Sequence, residues 1–183
     1  MTIIIVGAMG NIGRRLMTAF PGTIGIDRVQ GADIVASLAD IDYDAPAVKA
    51  AFENADGLIH VATSANVGDP DAVHWQAVID TGRLLAACDR HNIRRVVIPS
   101  SDWADPKTRW AAHNQNAYGH SKRVFEEMAH MYNVGHPDRH CVALRIGWVA
   151  RNIAEVETAD PWLQANYWDD ARLIGQMQAA LGD

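Results

Sequence analysis

This sequence predicts a doubly wound α/β fold: a parallel sheet of strand order 3-2-1-4-5-6 with helices on both faces. Three observations predict it. Strand-like and helix-like segments alternate along the whole chain. The first strand is an unbroken β-branched run, Thr2-Ile3-Ile4-Ile5-Val6, as a strand buried on both faces requires. That run passes directly into a glycine-rich turn, Gly7-Ala8-Met9-Gly10-Asn11-Ile12-Gly13, and then into a helix.

Each element has its own justification. Residues 11–20 place Ile12, Leu16 and Phe20 on one helical stripe. Residues 23–26 form a short second strand ending at Asp27, and residues 33–38 a third ending at Asp40. A short helix over 45–54 leads to a fourth strand at 57–62. Residues 71–91 read as a long helix with Val73, Ala77, Leu84, Leu85 and Cys88 inward. The fifth strand, 95–99, runs into Ser100 and Ser101. Residues 118–133 are helical, with Val124, Phe125, Met128 and Met131 inward. A sixth strand at 141–146 and a helix at 168–181 close the chain. Right-handed crossovers between parallel strands give the stated order, and ligands in such sheets sit beyond the carboxyl ends of the strands.

Composition narrows the function. With 183 residues, one domain spans 1–183 and has room for a sizeable core. A formal charge of −6 with no basic cluster excludes nucleic acid as a main partner. Two cysteines, Cys88 and Cys141, make no disulfide framework, and a reducing cytoplasm is the simplest setting. The first apolar run is too short for a leader or a membrane span, so no membrane partner is expected. Eight histidines show no metal-ligand spacing, so no metal is expected. His60 reads as a packed strand residue, His113 and His120 as solvated ones.

The glycine turn carries the first chemistry. Gly7 allows the tight turn, Gly10 lets backbone approach a pyrophosphate, and Gly13 permits close helix–strand packing. The free N–H groups opening the helix then face an anion. Asp27, twenty residues after Gly7, suits both ribose hydroxyls of NAD. Arg28 beside it suits the 2′-phosphate of NADP, but the carboxylate repels that phosphate, so NAD is favoured. A plain strand-to-helix turn without ligand has the same glycines.

The second chemistry lies about a hundred residues later, at Tyr118-Gly119-His120-Ser121-Lys122. Residues i and i+4 share a helix face, so Lys122 stands beside Tyr118. A phenol with an ordinary pKa near 10 is made a better base by a neighbouring ammonium. Ser101, at the end of the fifth strand, supplies a hydroxyl to a reacting oxygen; Ser100 competes for that role. An exposed Tyr and Lys sharing a face would look the same in isolation.

The G-x-x-G-x-x-G spacing together with Tyr-x-x-x-Lys resembles the extended short-chain dehydrogenase/reductases, the NAD-dependent epimerase/dehydratase group with a Rossmann-type fold. His60-Val61-Ala62, Ser100-Ser101 and Leu144-Arg145-Ile146-Gly147 extend the likeness over nearly the whole chain. Three stretches resemble uronate dehydrogenases: residues 118–122 with Met131-Tyr132, residues 144–147, and the tail from Tyr167 to Ile174. The resemblance implies Ser101, Tyr118 and Lys122 as catalytic residues. It implies NAD held by Gly7, Met9, Gly10, Asn11, Ile12, Gly13, Asp27, Arg28, Asp40 and Ala62, with Tyr118 and Lys122 at the nicotinamide end. Asp40 would touch the adenine ring. It also implies a small hydroxyl or carbonyl substrate, such as a sugar or uronic acid, and pairing of two copies through the two long helices.

The chain departs from that pattern. Asp102-Trp103 stands where the family has Asn-His, and Trp148 replaces a small polar residue. Ala77 replaces the usual Asn. For the arginine that meets a sugar carboxylate, Arg151 is the nearest candidate and Arg109 a looser one. The chain is also shorter than its relatives, leaving a minimal substrate-binding region at 147–170. Ser101, Asp102, Trp103 and Trp148 are the expected substrate contacts. Trp103 and Trp148 follow strand ends, where they either stack on a substrate ring or pack in the core or at a subunit interface. Residues 105–109 form a loop that either folds over substrate or is a plain surface turn. The expected activity is an NAD-dependent oxidoreductase. A sugar-nucleotide epimerase or dehydratase, and a non-catalytic NAD(P)-binding sensor or subunit, stand as alternatives.

Overall fold

A computed structural model describes residues 1–107 and 115–182. Six strands form one sheet: β1 (Ile3–Val6), β2 (Ile24–Asp27), β3 (Ile34–Val35), β4 (Gly57–His60), β5 (Arg95–Ser100) and β6 (His140–Arg145). Their order is β3-β2-β1-β4-β5-β6, and every pairing is parallel. The helices are α1 (Asn11–Ala19), α2 (Pro46–Glu53), α3 (Asp71–Arg90), α4 (Ala117–Asn133), α5 (Ile153–Thr158), α6 (Pro161–Gln164) and α7 (Asp170–Leu181).

The β-branched run of β1 explains the two-faced build. Side chains alternate across a strand. Ile4 and Val6 join one core with Phe52 of α2, Leu84 of α3 and Phe125 of α4. Ile3 and Ile5 join the other with Leu16 of α1 and Leu173 and Met177 of α7. Both faces are therefore covered, as a parallel sheet needs. No helix among the described residues is long and apolar enough to cross a membrane.

Several local expectations need correction. The third strand is two residues long rather than spanning 33–38. The Asp33 carboxylate accepts the Gly25 N–H at 2.7 Å, and Asp40 N donates to Ser37 O in a turn, so both ends leave the ladder. Val73, Val124 and Met131 do not point inward: they are 40%, 38% and 71% exposed. They join Trp75 and Ile79 on the outer faces of α3 and α4, an apolar surface that periodicity alone reads as core. The closing helix begins at Asp170, capped by the Asp169 carboxylate, and so leaves Trp168 outside it.

Candidate active site

The first wall of the site is the turn between β1 and α1. Gly7 has φ +92°, and a Cβ there would lie 2.7 Å from Ala62 N. A Cβ on Gly13 would lie 2.0 Å from Gly7 O. Only glycine fits either position, so backbone packs on backbone and α1 starts against the end of β1. Gly10 caps α1 without any side-chain hydrogen bond, which leaves the first-turn N–H groups for a ligand. At the end of β2 the Asp27 carboxylate accepts from Met9 N (2.8 Å) and Val29 N (3.1 Å). A carboxylate offers about four lone-pair positions, so two remain for hydroxyl donors. Residues and cradle thus fit a dinucleotide. Arg28 and Asp40 are exposed on the same side of the sheet order, on the β2 and β3 turns.

A cavity of about 770 Å³ opens beyond the strand ends. Gly10, Asn11, Ile12 and Gly13 line one side, Ser100, Ser101, Asp102 and Trp103 the middle, and Tyr118 and Lys122 the floor. Trp148, Arg151 and Trp162 line the far side. The structure thus brings together the expected catalytic and substrate residues and half of the expected cofactor residues. Gly7, Met9, Asp27, Arg28, Asp40 and Ala62 are outside the described lining of this cavity. Arg109 and His113, with the end of the 105–109 segment, lie outside the described residues.

Local structure places each polar group. Asn116 caps α4 by accepting the Gly119 N–H at 2.8 Å, so Tyr118 stands in the first turn. Tyr118 is buried, hydrogen-bonded to Ser101, and edge-on to Trp103 (6.0 Å) and His74 (5.5 Å). Burial raises its pKa above the ordinary phenol value, while the Ser101 hydrogen bond works the other way. The resting phenol therefore keeps its proton at neutral pH. Ser100 is engaged elsewhere: its hydroxyl donates to Glu126 at 2.7 Å. Glu126 also takes two hydrogen bonds from Arg145, at 2.7 and 3.0 Å. Burial alone would raise Glu126, but Arg145 and Ser100 hold it below the usual carboxylate value.

Lys122 is 3% exposed, and burial draws its pKa down to about 7. Its Nζ donates to Thr63 Oγ1 at 3.3 Å and lies 5.2 Å from the Tyr118 ring centre and 4.9 Å from that of Phe125. His60, at the end of β4, is also buried, and burial together with the Lys122 charge pulls it down to about 3. It is neutral, and its tautomer follows from its neighbours. Thr81 gives its own proton to Ala77 O (2.7 Å), so Thr81 Oγ1 accepts at 3.1 Å from a protonated His60 Nε2. The expected packed role of His60 is what the structure places there. His120 is exposed, beside Arg123.

Sequence reasoning missed Thr63 and His74. Neither belongs to a motif, and both reach the site only through tertiary packing. His74 Nε2 is buried without a hydrogen-bond partner among the described residues. Arg15 was also missed; it ties α1 to the far wall. Among the described residues no group of three or more His, Cys, Asp or Glu side chains is placed to hold a metal ion.

Strand order, glycine turn and cavity position define a doubly wound fold of the dinucleotide-binding type. The chain belongs to the NAD dependent epimerase/dehydratase family, whose profile matches residues 3–150. No curated protein matches it. Among solved structures it is similar to a uronate dehydrogenase from Agrobacterium tumefaciens, with TM-score 0.76 and 22% identity over 100% of this chain and 72% of that one. It is also similar to a short-chain dehydrogenase/reductase superfamily protein from the same organism with bound NAD (TM-score 0.65, 23% identity, 82% of this chain and 50% of that one). A UDP-Glc/GlcNAc 4-epimerase from Campylobacter jejuni gives TM-score 0.63 and 20% identity over 87% of this chain and 58% of that one. The chain therefore spans half to about seven-tenths of the length of these structures.

Proposed function

We propose that this protein is an NAD-dependent oxidoreductase of a small hydroxyl or carbonyl compound, with a sugar or uronic acid as the substrate class. One observation carries this reading: the Ser101–Tyr118–Lys122 group faces the same cavity as the open first turn of α1. A binding module would need the turn but not a buried phenol paired with a buried amine.

The glycine turn, with Asp27 and Lys122, would hold NAD, which when bound takes the hydride from the carbinol carbon. The chain's own part is proton control. In oxidation the substrate hydroxyl passes its proton to the Tyr118 oxygen as the carbon–oxygen double bond forms. In reduction the Tyr118 O–H returns that proton to the carbonyl oxygen. Ser101 orients the reacting oxygen. Lys122, whose pKa burial draws down to about 7, favours the phenolate by its charge only while it is still protonated. Burial rather than that charge dominates the Tyr118 pKa, contrary to the expected tuning by an ammonium. Resting Tyr118 is protonated, so reduction is ready at neutral pH, and oxidation accelerates as pH rises toward the raised Tyr118 pKa.

The uronic-acid reading is supported by Arg151. Arg151 borders the cavity, and its guanidinium makes no hydrogen bond or ion pair among the described residues. Such a cation offsets Asp102 for an anionic substrate. The apolar outer faces of α3 and α4, with Trp75 64% exposed, support a homodimer through these helices. Trp75→Asp should then sediment as a monomer.

The test of the activity is NADH absorbance with purified protein, NAD and a panel of uronic acids, aldoses and simple alcohols, beside Tyr118→Phe. NADH formation with one class, abolished in the variant, establishes the reading. NAD binding without turnover on any member refutes the dehydrogenase and favours epimerisation or sensing.

A further inference from the structure

The far wall of the cavity lacks a core of its own. Neither α5 nor α6 buries a single residue. Residues 147–151, which carry Trp148 and Arg151, reach the core only through Gly147, Val149 and the buried Ala150, and are otherwise held by two sets of ties. On one side Trp148 pairs with the tail: its N–H donates to Asn166 O, and Trp168 N–H donates to Trp148 O, each at 2.8 Å. On the other side three successive carbonyls are taken by α1. Asn11 Nδ2 donates to Val149 O at 2.8 Å. Arg15 Nη2 donates to Ala150 O at 2.8 Å and to Arg151 O at 3.4 Å.

The rest of the Arg15 fork is also engaged. Its Nη1 donates to Asn11 O at 2.7 Å and to the Asn11 side-chain oxygen, and its Nε to Asp170 at 2.7 Å. Arg15 thus holds Asn11 and the wall with one rigid planar group, a geometry no lysine reproduces. Asn11 is the first residue of α1 and borders the cavity.

We propose that Asn11 and Arg15 form a clamp through which occupancy of the glycine turn sets the position of residues 149–151. Arg15 is then a positioning residue for substrate, acting through the wall it holds. This rests on the functional reading above and extends it to the order of binding. An anion on the first-turn amides orders Asn11, Asn11 and Arg15 order the three carbonyls, and these place Trp148 and Arg151. Coupling of this kind is reciprocal, so substrate tightens the cofactor by the same factor.

Hydrogen exchange of residues 149–155 with and without NAD tests the clamp. In the wild type NAD should slow exchange there by about tenfold, within the usual range of coupling between sites. Arg15→Met should keep NAD affinity within about threefold yet show less than about twofold slowing. Arg15→Lys retains the charge beside Asp170 and guards against a folding defect in Arg15→Met; it should lose the protection too. Asp170→Asn removes only the surface ion pair and should keep it. Protection that persists in both Arg15 variants overturns the clamp alone. A wild type that binds no NAD overturns the functional reading, and the clamp with it.

Discussion

The two walls of the cavity are made by opposite means. The β1–α1 wall is backbone against backbone, closed to the limit: a Cβ on Gly13 has 2.0 Å where van der Waals contact needs nearly twice that. The wall after β6 is made of side chains and polar ties over two short helices without a core. The first shape suits a ligand portion that never changes, read by amides that cannot vary with sequence. The second suits a portion that differs between relatives, because its surfaces are replaceable. Changes in the first wall should therefore act on folding and cofactor together. Changes in the second, outside the carbonyls held by Asn11 and Arg15, should act mainly on substrate.

The largest expected break is Gly13→Ala. Its methyl group has no flexible neighbour to displace, only Gly7 O and the Ala8 backbone. The destabilisation should exceed about 3 kcal/mol, the upper part of the overpacking range. For a chain of this size that lowers Tm by roughly 10 °C, and NAD binding should vanish in the folded fraction. A thermal melt within 2 °C (about 1 kcal/mol) of wild type would show that the turn is not the rigid wall described.

Next comes the group between the walls. Tyr118→Phe keeps the buried ring and removes the acid–base proton. Turnover should fall about 10³-fold, the middle of the range for a general acid–base group, with NAD affinity unchanged. Lys122→Met opposes stability to function. The folded amine titrates near 7, against 10.5 for a free one. Between those values the unfolded chain binds more protons, so wild-type stability rises with pH across that window. The burial penalty is nearly complete at pH 7 and complete below it, with an upper bound of about 5 kcal/mol. Lys122→Met should thus melt several degrees above wild type at pH 7 while losing activity, and the advantage should disappear by about pH 10. Equal melting temperatures at both pH values would remove the buried-charge account. His60 works at the other end of the scale: with its folded pKa near 3, wild-type stability should decline as pH falls from about 6.5 towards 3.

The same contrast explains what was legible in the sequence. The first wall is local. Ile3–Val6, the three glycines and Asp27 lie within one short stretch, and each is demanded by backbone geometry, so strand, turn and helix read directly. Tyr118 and Lys122 were legible for the same reason, as an i,i+4 pair. The strand order followed from alternation and handedness. What lay beyond reach was what distant segments do to one another. His74 meets Tyr118 only because α3 packs on α4, and Thr63 meets Lys122 only across the sheet ends. Ser100 is withdrawn from the site by Glu126, twenty-six residues on. Val124 and Met131 have the spacing of core residues, but hydrophobic periodicity does not distinguish a core face from an outer one.

The smallest expected effect is the most discriminating. Trp162 lies on α6, borders the cavity and is 42% exposed. If the second wall is replaceable, Trp162→Ala should change stability by no more than about 1 kcal/mol, the centre of the range for single substitutions. It should leave NAD affinity and the Tyr118-dependent pH profile untouched. Substrate KM should rise about fivefold, because an exposed indole at the mouth contributes part of a stacking contact to substrate and none to the cofactor. A substantial loss of stability would mean that α6 is a structural support after all. An equal fall in kcat with unchanged KM would move Trp162 from the substrate mouth to the reacting centre, and the division of labour between the walls would have to be redrawn.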